Sequence, residues 1–366
     1  MLTIHPPKRF LFGPGPTQVE PRVYEAMSQP IVGYLDPYFF EVAEHVKKGL
    51  QQVFGTSNEM TLAISGTGSS GMETAVSNFV EPGSKFAVIV GGFFGERLCE
   101  MGRRHGANVV RLDKPWGEAA TDDEAREFIL KERPQTVAFV HGETSTGVLQ
   151  TGKAICDAAH EVGALVIADC VTTLGGTKVA VDETGIDIAY SCTQKGLSCP
   201  PGLSPFTVSP RAVERLHARP KPNIVWYLDL AMIVDYYGPA HKYHHTAPIS
   251  NFYALREGLA LISEEGVEAR WARHLASHEA FVRGLEYMGV SMHVAAGHRI
   301  PHLNTVRVPA GVDDAKVRKQ LMAEYGIEIG AGFGPLAGKI FRIGLMGPLA
   351  TPENTQFFLD AFAKSI

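Results

Sequence analysis

The sequence predicts an α/β protein: a mostly parallel sheet flanked by helices, followed by a second, smaller α/β unit. Three observations carry this. Short apolar runs alternate with amphipathic stretches through the first two thirds of the 366 residues, which is the signature of β-α-β units. The runs are rich in β-branched residues and nearly continuous in hydrophobicity, as in strands covered on both faces. After about residue 250 the alternation gives way to two long helical patterns and then resumes. At about 150 residues per domain, a chain of this length suits two domains.

The elements follow in order. Strands are expected at Thr61–Ile64, Phe86–Val90, Val109–Leu112, Thr136–His141, Ala164–Ala168, Ile186–Ser191 and Pro205–Val208, with helices between them at 70–80, 94–104, 122–131 and 152–162. Long helices are expected at Ile249–Glu264 and Val267–Met288. In the tail, Thr305–Val308 and Ile340–Leu345 read as strands. Asp313–Glu324, acidic in its first turn, and Pro352–Lys364 read as helices.

Composition narrows the function. Hydrophobic residues at 45% and charged residues at 20% are ordinary for a soluble enzyme-sized chain. A net charge of -5 without a basic block argues against a nucleic-acid partner. No run of about 18 apolar residues predicts a membrane helix. The opening MLTIHPPKRFLFGPGP lacks the apolar core of a signal peptide, and the terminal Lys364-Ser365-Ile366 is not a peroxisomal Ser-Lys-Leu, so the cytosol is the default compartment. The five cysteines show no metal-type spacing and read as free thiols. His244-His245, as adjacent residues, make a poor bidentate metal site, and no metal is expected.

Gly66-Thr67-Gly68-Ser69-Ser70-Gly71 lies between a strand and a helix, the context of a dinucleotide-binding turn. That fold would want a carboxylate at the end of the next strand. Here Val90 is followed by Gly91-Gly92-Phe93-Phe94. The nicotinamide oxidoreductase reading loses its ribose ligand. The turn keeps its anion-binding backbone, and the hydroxyls of Thr67 and Ser69 suit a single phosphate; a plain strand–helix turn is the alternative.

Ala164–Ala168 ends in Asp169, at the carboxyl edge where α/β sheets bind ligands. By itself Asp169 could be a turn residue or a helix cap. Twenty-six residues on, after another strand, stands Lys195 among Ser191, Gly196 and Ser198, small neighbours atypical of a solvated lysine. Phosphate turn, aspartate and lysine, each after a strand and so near one sheet edge, together suit pyridoxal 5′-phosphate chemistry. The lysine tethers the cofactor as a Schiff base, a step that needs its unprotonated amine, and the carboxylate keeps the ring nitrogen protonated.

Four motifs then carry a resemblance: His141–Val148, Ala168–Gly176, Ser191–Gly196 and Pro200-Pro201-Gly202. Together they resemble class V aminotransferases, nearest to the alanine–glyoxylate and serine–pyruvate group. The resemblance runs from Gly13-Pro14-Gly15-Pro16-Thr17 to Arg342-Ile343-Gly344-Leu345. It implies a fold type I enzyme with a mainly parallel seven-stranded sheet in a large domain (21–255), a small C-terminal domain (256–366), an N-terminal segment (1–20) contributing to the active site, and a homodimer with shared sites. It also implies roles: Lys195 as tether and proton shuttle, Asp169 at the ring nitrogen, Thr144 at the phenolic oxygen, Val171 on one ring face, and Thr67, Gly68, Ser69 and Gln194 at the phosphate. Tyr243 and Thr246 would reach the phosphate of the neighbouring subunit. Arg342 would grip the substrate carboxylate, with Gly15 lining the same pocket. Phe94 departs from the pattern, standing where relatives carry a Trp stacked on the ring. It can stack but lacks the indole N–H.

The expected reaction is a ping-pong transamination from a small amino acid, alanine or serine, to glyoxylate or pyruvate. Aspartate–glyoxylate, aminoethylphosphonate–pyruvate and pyridoxamine–pyruvate enzymes are the neighbouring alternatives, the last at odds with a phosphate cup. A cysteine desulfurase would need a Cys in Gly330–Lys339, which has none. A non-catalytic binding protein of the same fold is the alternative from another class.

Overall fold

The computed structural model describes residues 4–366. Its centre is a seven-stranded sheet: β1 (Met60–Ser65), β2 (Lys85–Val90), β3 (Asn108–Asp113), β4 (Thr136–Val140), β5 (Leu165–Asp169), β6 (Ile188–Tyr190) and β7 (Leu203–Val208), ordered β1-β7-β6-β5-β4-β2-β3. All neighbours run parallel except β7, which is antiparallel to both β1 and β6. Each expected strand is present, with ends shifted by at most two residues.

Both faces of the sheet are covered, which accounts for the unbroken hydrophobicity of the strands. In β2, Phe86, Val88 and Val90 enter one apolar core while Ala87 and Ile89 enter the other. In β4, Val137 and Phe139 enter the core that takes Ala87 and Ile89, while Ala138 and Val140 enter the other. One core is roofed by helices Pro37–Phe54, Asp122–Glu132, Lys153–Glu161 and Ile249–Glu265. The other lies under Gly68–Phe79, Phe93–Arg104, Pro210–His217 and Leu230–Tyr237.

Five helices go beyond the sequence expectation: Pro21–Met27, Pro37–Phe54, Val181–Thr184, Pro210–His217 and Leu230–Tyr237. Three of them have proline in the first turn, and Asp36, Ser209 and Asp229 cap three with side-chain acceptors. Gly55 stops the second of them in the left-handed region at φ 67°.

The C-terminal unit is a three-stranded antiparallel sheet, with Ile340–Gly344 between Leu303–Arg307 and Gly330–Ala331, and has its own core around Phe12, Phe281, Phe341 and Phe358. Helix Ile249–Glu265 runs unbroken through residue 255 and packs on the large core. The next helix, Val267–Tyr287, gives Phe281 and Leu285 to the small one. We therefore propose Gly266 (φ 87°) as the division between the two units.

The N-terminal segment joins both. Phe10–Leu11 pairs in parallel with Ile327–Glu328, and Gly344 N donates to Phe12 O at 2.8 Å. A few residues on, Thr17 N donates to Gln194 O at 3.1 Å. Among the described residues no helix is long and apolar enough to cross a membrane.

Candidate active site

The parallel strands deliver their carboxyl ends to one edge, and the adjacency β4-β5-β6 brings three loops side by side. Thr144 follows β4, Asp169 ends β5, and Lys195 follows β6. Together with the turn after β1 and the start of the helix after β2, they line a cleft of roughly 470 Å³. Gly15, Thr67, Gly68, Ser69, Phe94, Thr144, Asp169, Val171, Gln194, Lys195 and Arg342 all line it. Eleven of the thirteen expected site residues thus meet in one place; Tyr243 and Thr246 lie on the exposed surface instead.

The glycine turn is shaped by sterics. Gly66 has φ +143°, a conformation that disfavours a side chain. A Cβ on Gly68 would come within 3.0 Å of Val171 Cγ2 and 3.1 Å of Cys192 Cβ, and one on Gly71 within 2.1 Å of Ser204 Oγ. The helix Gly68–Phe79 therefore starts directly against the sheet, its first N–H groups open to an anion. Thr67 makes no side-chain cap bond, so its hydroxyl stays available. Arg97 Nη1 donates to Ser69 Oγ at 3.2 Å.

Lys195 is buried. Its Nζ donates to Thr144 Oγ1 at 3.0 Å and to Thr172 Oγ1 at 3.2 Å, and the two threonine hydroxyls bond each other. Burial pushes its pKa down, toward the unprotonated amine a nucleophile or base needs. Gly15 packs on its stem, since a Cβ there would lie 3.0 Å from Lys195 Cγ.

Asp169 is also buried; it accepts from Val171 N at 2.9 Å and from Tyr190 OH at 2.8 Å. Burial raises its pKa, opposed by those two bonds and by the charges of Lys195 and Arg97. A cation brought to its free lone pairs would restore the carboxylate.

Arg342 sits mid-strand with Nε donating to Ala331 O at 2.7 Å and Nη1 reaching Thr144 O at 3.5 Å. Burial lowers its pKa to about 10, countered by Glu143. It forms no ion pair among the described residues, so a buried guanidinium faces the cleft without an anion. Its Cζ lies 3.9 Å from the centroid of Phe333.

Several contributors escaped the sequence reading. Thr172 and Tyr190 orient Lys195 and Asp169. Glu143, 3% exposed, accepts from Phe94 N at 3.1 Å and Gly95 N at 3.3 Å and so fixes the helix that carries Phe94. The motif His141–Val148 contained it, but only the fold shows what it caps. Val90 leads through Gly91-Gly92 into that helix, which starts at Phe93, so no carboxylate follows the strand as a nicotinamide site would want. All five cysteines are buried and free. His244 and His245 are bonded to each other through Nδ1, and His245 Nε2 to Ser65 Oγ at 2.6 Å. Among the described residues no group of three His, Cys, Asp or Glu could hold a metal.

The profile of the family described as aminotransferase class-V matches residues 9–339. The chain belongs to the class V aminotransferases. It is 38% identical to (S)-ureidoglycine–glyoxylate transaminase of Bacillus subtilis (strain 168), over 96% of this chain and 89% of that protein. It is 37% identical to alanine–glyoxylate aminotransferase of Oryctolagus cuniculus, over 98% and 93%. Among solved structures, alanine–glyoxylate aminotransferase from Nostoc sp. superposes with a TM-score of 0.98 at 43% identity, covering 100% of this chain and 97% of that one. The chain is thus an aminotransferase of fold type I, a family generally dependent on pyridoxal 5′-phosphate.

Proposed function

We propose that this aminotransferase uses pyridoxal 5′-phosphate to move an amino group from a small amino acid, alanine or serine, to glyoxylate. One observation carries the reading: a buried lysine of lowered pKa, a buried carboxylate and an unpaired buried guanidinium converge on one cleft. Relatives with different named donors share the acceptor glyoxylate, which supports the acceptor more firmly than the donor.

The residues present fit the cofactor. The helix start at Gly68 and the hydroxyls of Thr67 and Ser69 form a cradle for a phosphate, with Gln194 lining the same cleft. Lys195 would tether the group, Asp169 would hold the proton on its ring nitrogen, and Val171 and Phe94 would flank the ring. When bound, the group supplies an electron-withdrawing ring that stabilises negative charge at the substrate Cα.

The chain's own residues do the rest. Arg342 binds the α-carboxylate with the Nη hydrogens that its bond to Thr144 O leaves over. Thr144 and Thr172 hold the Lys195 amine in place. That amine, whose pKa burial lowers, accepts the proton from the substrate Cα and returns it later in the cycle.

Tyr243, 54% exposed, and Thr246 are candidates for the phosphate site of a second subunit, which supports a homodimer. The cytosol remains our proposed compartment.

The test is an absorption spectrum of the purified protein supplied with pyridoxal phosphate. A band near roughly 410–430 nm, bleached by borohydride and missing in Lys195→Ala, is the expected result. No band in the wild type would overturn the reading. A donor screen against glyoxylate with alanine, serine and ureidoglycine then decides the donor.

A further inference from the structure

Phe333 lines the cleft beside Arg342, on a loop whose backbone is fixed. Gly332 N donates to Ile340 O at 3.1 Å and Leu336 N to Phe333 O at 2.9 Å. A Cβ on Gly332 would lie 2.0 Å from Leu336 O, and Gly334 adopts φ +48° against Trp116. The ring is thus held over the guanidinium, 3.9 Å from Cζ, although Phe333 is 38% exposed. Its other neighbour is Phe93, with centroids 5.4 Å apart. Phe93 is anchored by its own N–H donating to Ser145 Oγ at 2.9 Å. Both rings line the cleft.

A ring stacked on one face of a guanidinium keeps water off that face and leaves the planar donor edge free. With Nε already committed to Ala331 O, only the Nη groups remain for a ligand. A carboxylate docked there brings the adjoining carbon chain up to the Phe93–Phe333 wall.

We propose that Phe333 is a positioning and size-selecting residue: it holds Arg342 flat for the substrate carboxylate and, with Phe93, limits the donor's side chain to a carbon or two. The inference rests on the reading of Arg342 as the carboxylate-binding group.

Steady-state kinetics of the cofactor-loaded enzyme test it, with alanine, 2-aminobutyrate and norvaline as donors to glyoxylate. Phe333→Ala should raise KM for alanine and for glyoxylate by about tenfold while kcat changes by less than about threefold. Norvaline should gain about tenfold in kcat/KM relative to alanine, the scale of one or two methylenes. Phe333→Leu keeps the bulk but loses the ring face, so KM should rise with the donor order intact. A purely structural defect would lower kcat or the cofactor band without splitting KM from donor order. If Arg342→Ala raises KM but Phe333→Ala alters neither KM nor donor order, the inference falls alone. If Arg342→Ala leaves KM unchanged, the reading of Arg342 falls and takes this with it. Should Phe333→Ala fail to fold, an unchanged KM in Phe333→Leu overturns it.

Discussion

Buried ionisable side chains around the lysine set a pH limit on the fold itself. His141 and His302 flank the Thr172-Thr173 segment: His141 Nδ1 lies 2.9 Å from Thr173 Oγ1, and His302 Nε2–H donates to Thr172 O at 2.6 Å. Burial lowers both imidazoles to about 4. In the unfolded chain they titrate near the usual 6.5, so between pH 6.5 and 4 the unfolded state binds more protons. Stability is fully present above that window and is lost as pH falls through it. Urea unfolding at pH 7 and pH 5 should show a loss of roughly 2 kcal/mol for each histidine. His302→Gln should remove its share, and an equal loss in the variant would refute the assignment. At this scale the sequence was unevenly legible. Lys195 and Asp169 could be read because each follows a strand, and strand ends converge by topology. Thr172, Tyr190 and Glu143 could not, because a threonine or a glutamate acquires a role only from the atom it meets across the sheet.

Among the elements, the helix Phe93–Arg104 has the most to do with the site, since it carries Phe93, Phe94 and Arg97. Its start is capped from outside by Glu143, whose carboxyl also accepts from Ser145 Oγ at 2.6 Å. Glu143→Gln presents an amide NH₂ where backbone N–H groups need an acceptor. It should cost about 1–3 kcal/mol in stability and weaken cofactor affinity along with it. Thr121→Ala provides the contrast. Thr121 caps the helix Asp122–Glu132 in a capping box with Glu124, outside the cleft, and its loss should cost about 1 kcal/mol with KM unchanged. Thermal melts and KM measured on both variants check the pair. The strands were legible almost to the residue because two-sided burial leaves a continuous apolar run. The antiparallel course of β7 was not, because strand direction leaves no mark on hydrophobicity. The helices Pro37–Phe54 and Leu230–Tyr237 had readable caps, but they lie outside the β-α-β alternation that directed attention.

For the whole molecule, the proposed sharing of sites between subunits makes a sharp prediction. Lys195→Ala chains and Tyr243→Ala/Thr246→Ala chains should each be inactive as homodimers. Refolded together in equal amounts, they form hybrids in which one site has both its lysine and its neighbour's Tyr243 and Thr246. Activity should return to about one quarter of the wild type, given statistical pairing. No recovery would place Tyr243 and Thr246 outside the active site. The proposed assembly rests on the family resemblance: by itself an exposed Tyr243 at 54% reads as ordinary surface.

The thread of residues 10–17 has a consequence for how the protein is made. Phe10–Leu11 emerges from the ribosome long before its pairing partners, Ile327–Glu328, and before the carbonyl of Met346 that accepts from Thr17 Oγ1 at 3.3 Å. The large sheet, with Lys195 and Asp169 in place, is complete more than a hundred residues earlier in synthesis. The nascent chain must therefore carry Phe10–Leu11 without its strand partner while the rest is translated, although Gly15 and Thr17 can already settle against Lys195 and Gln194.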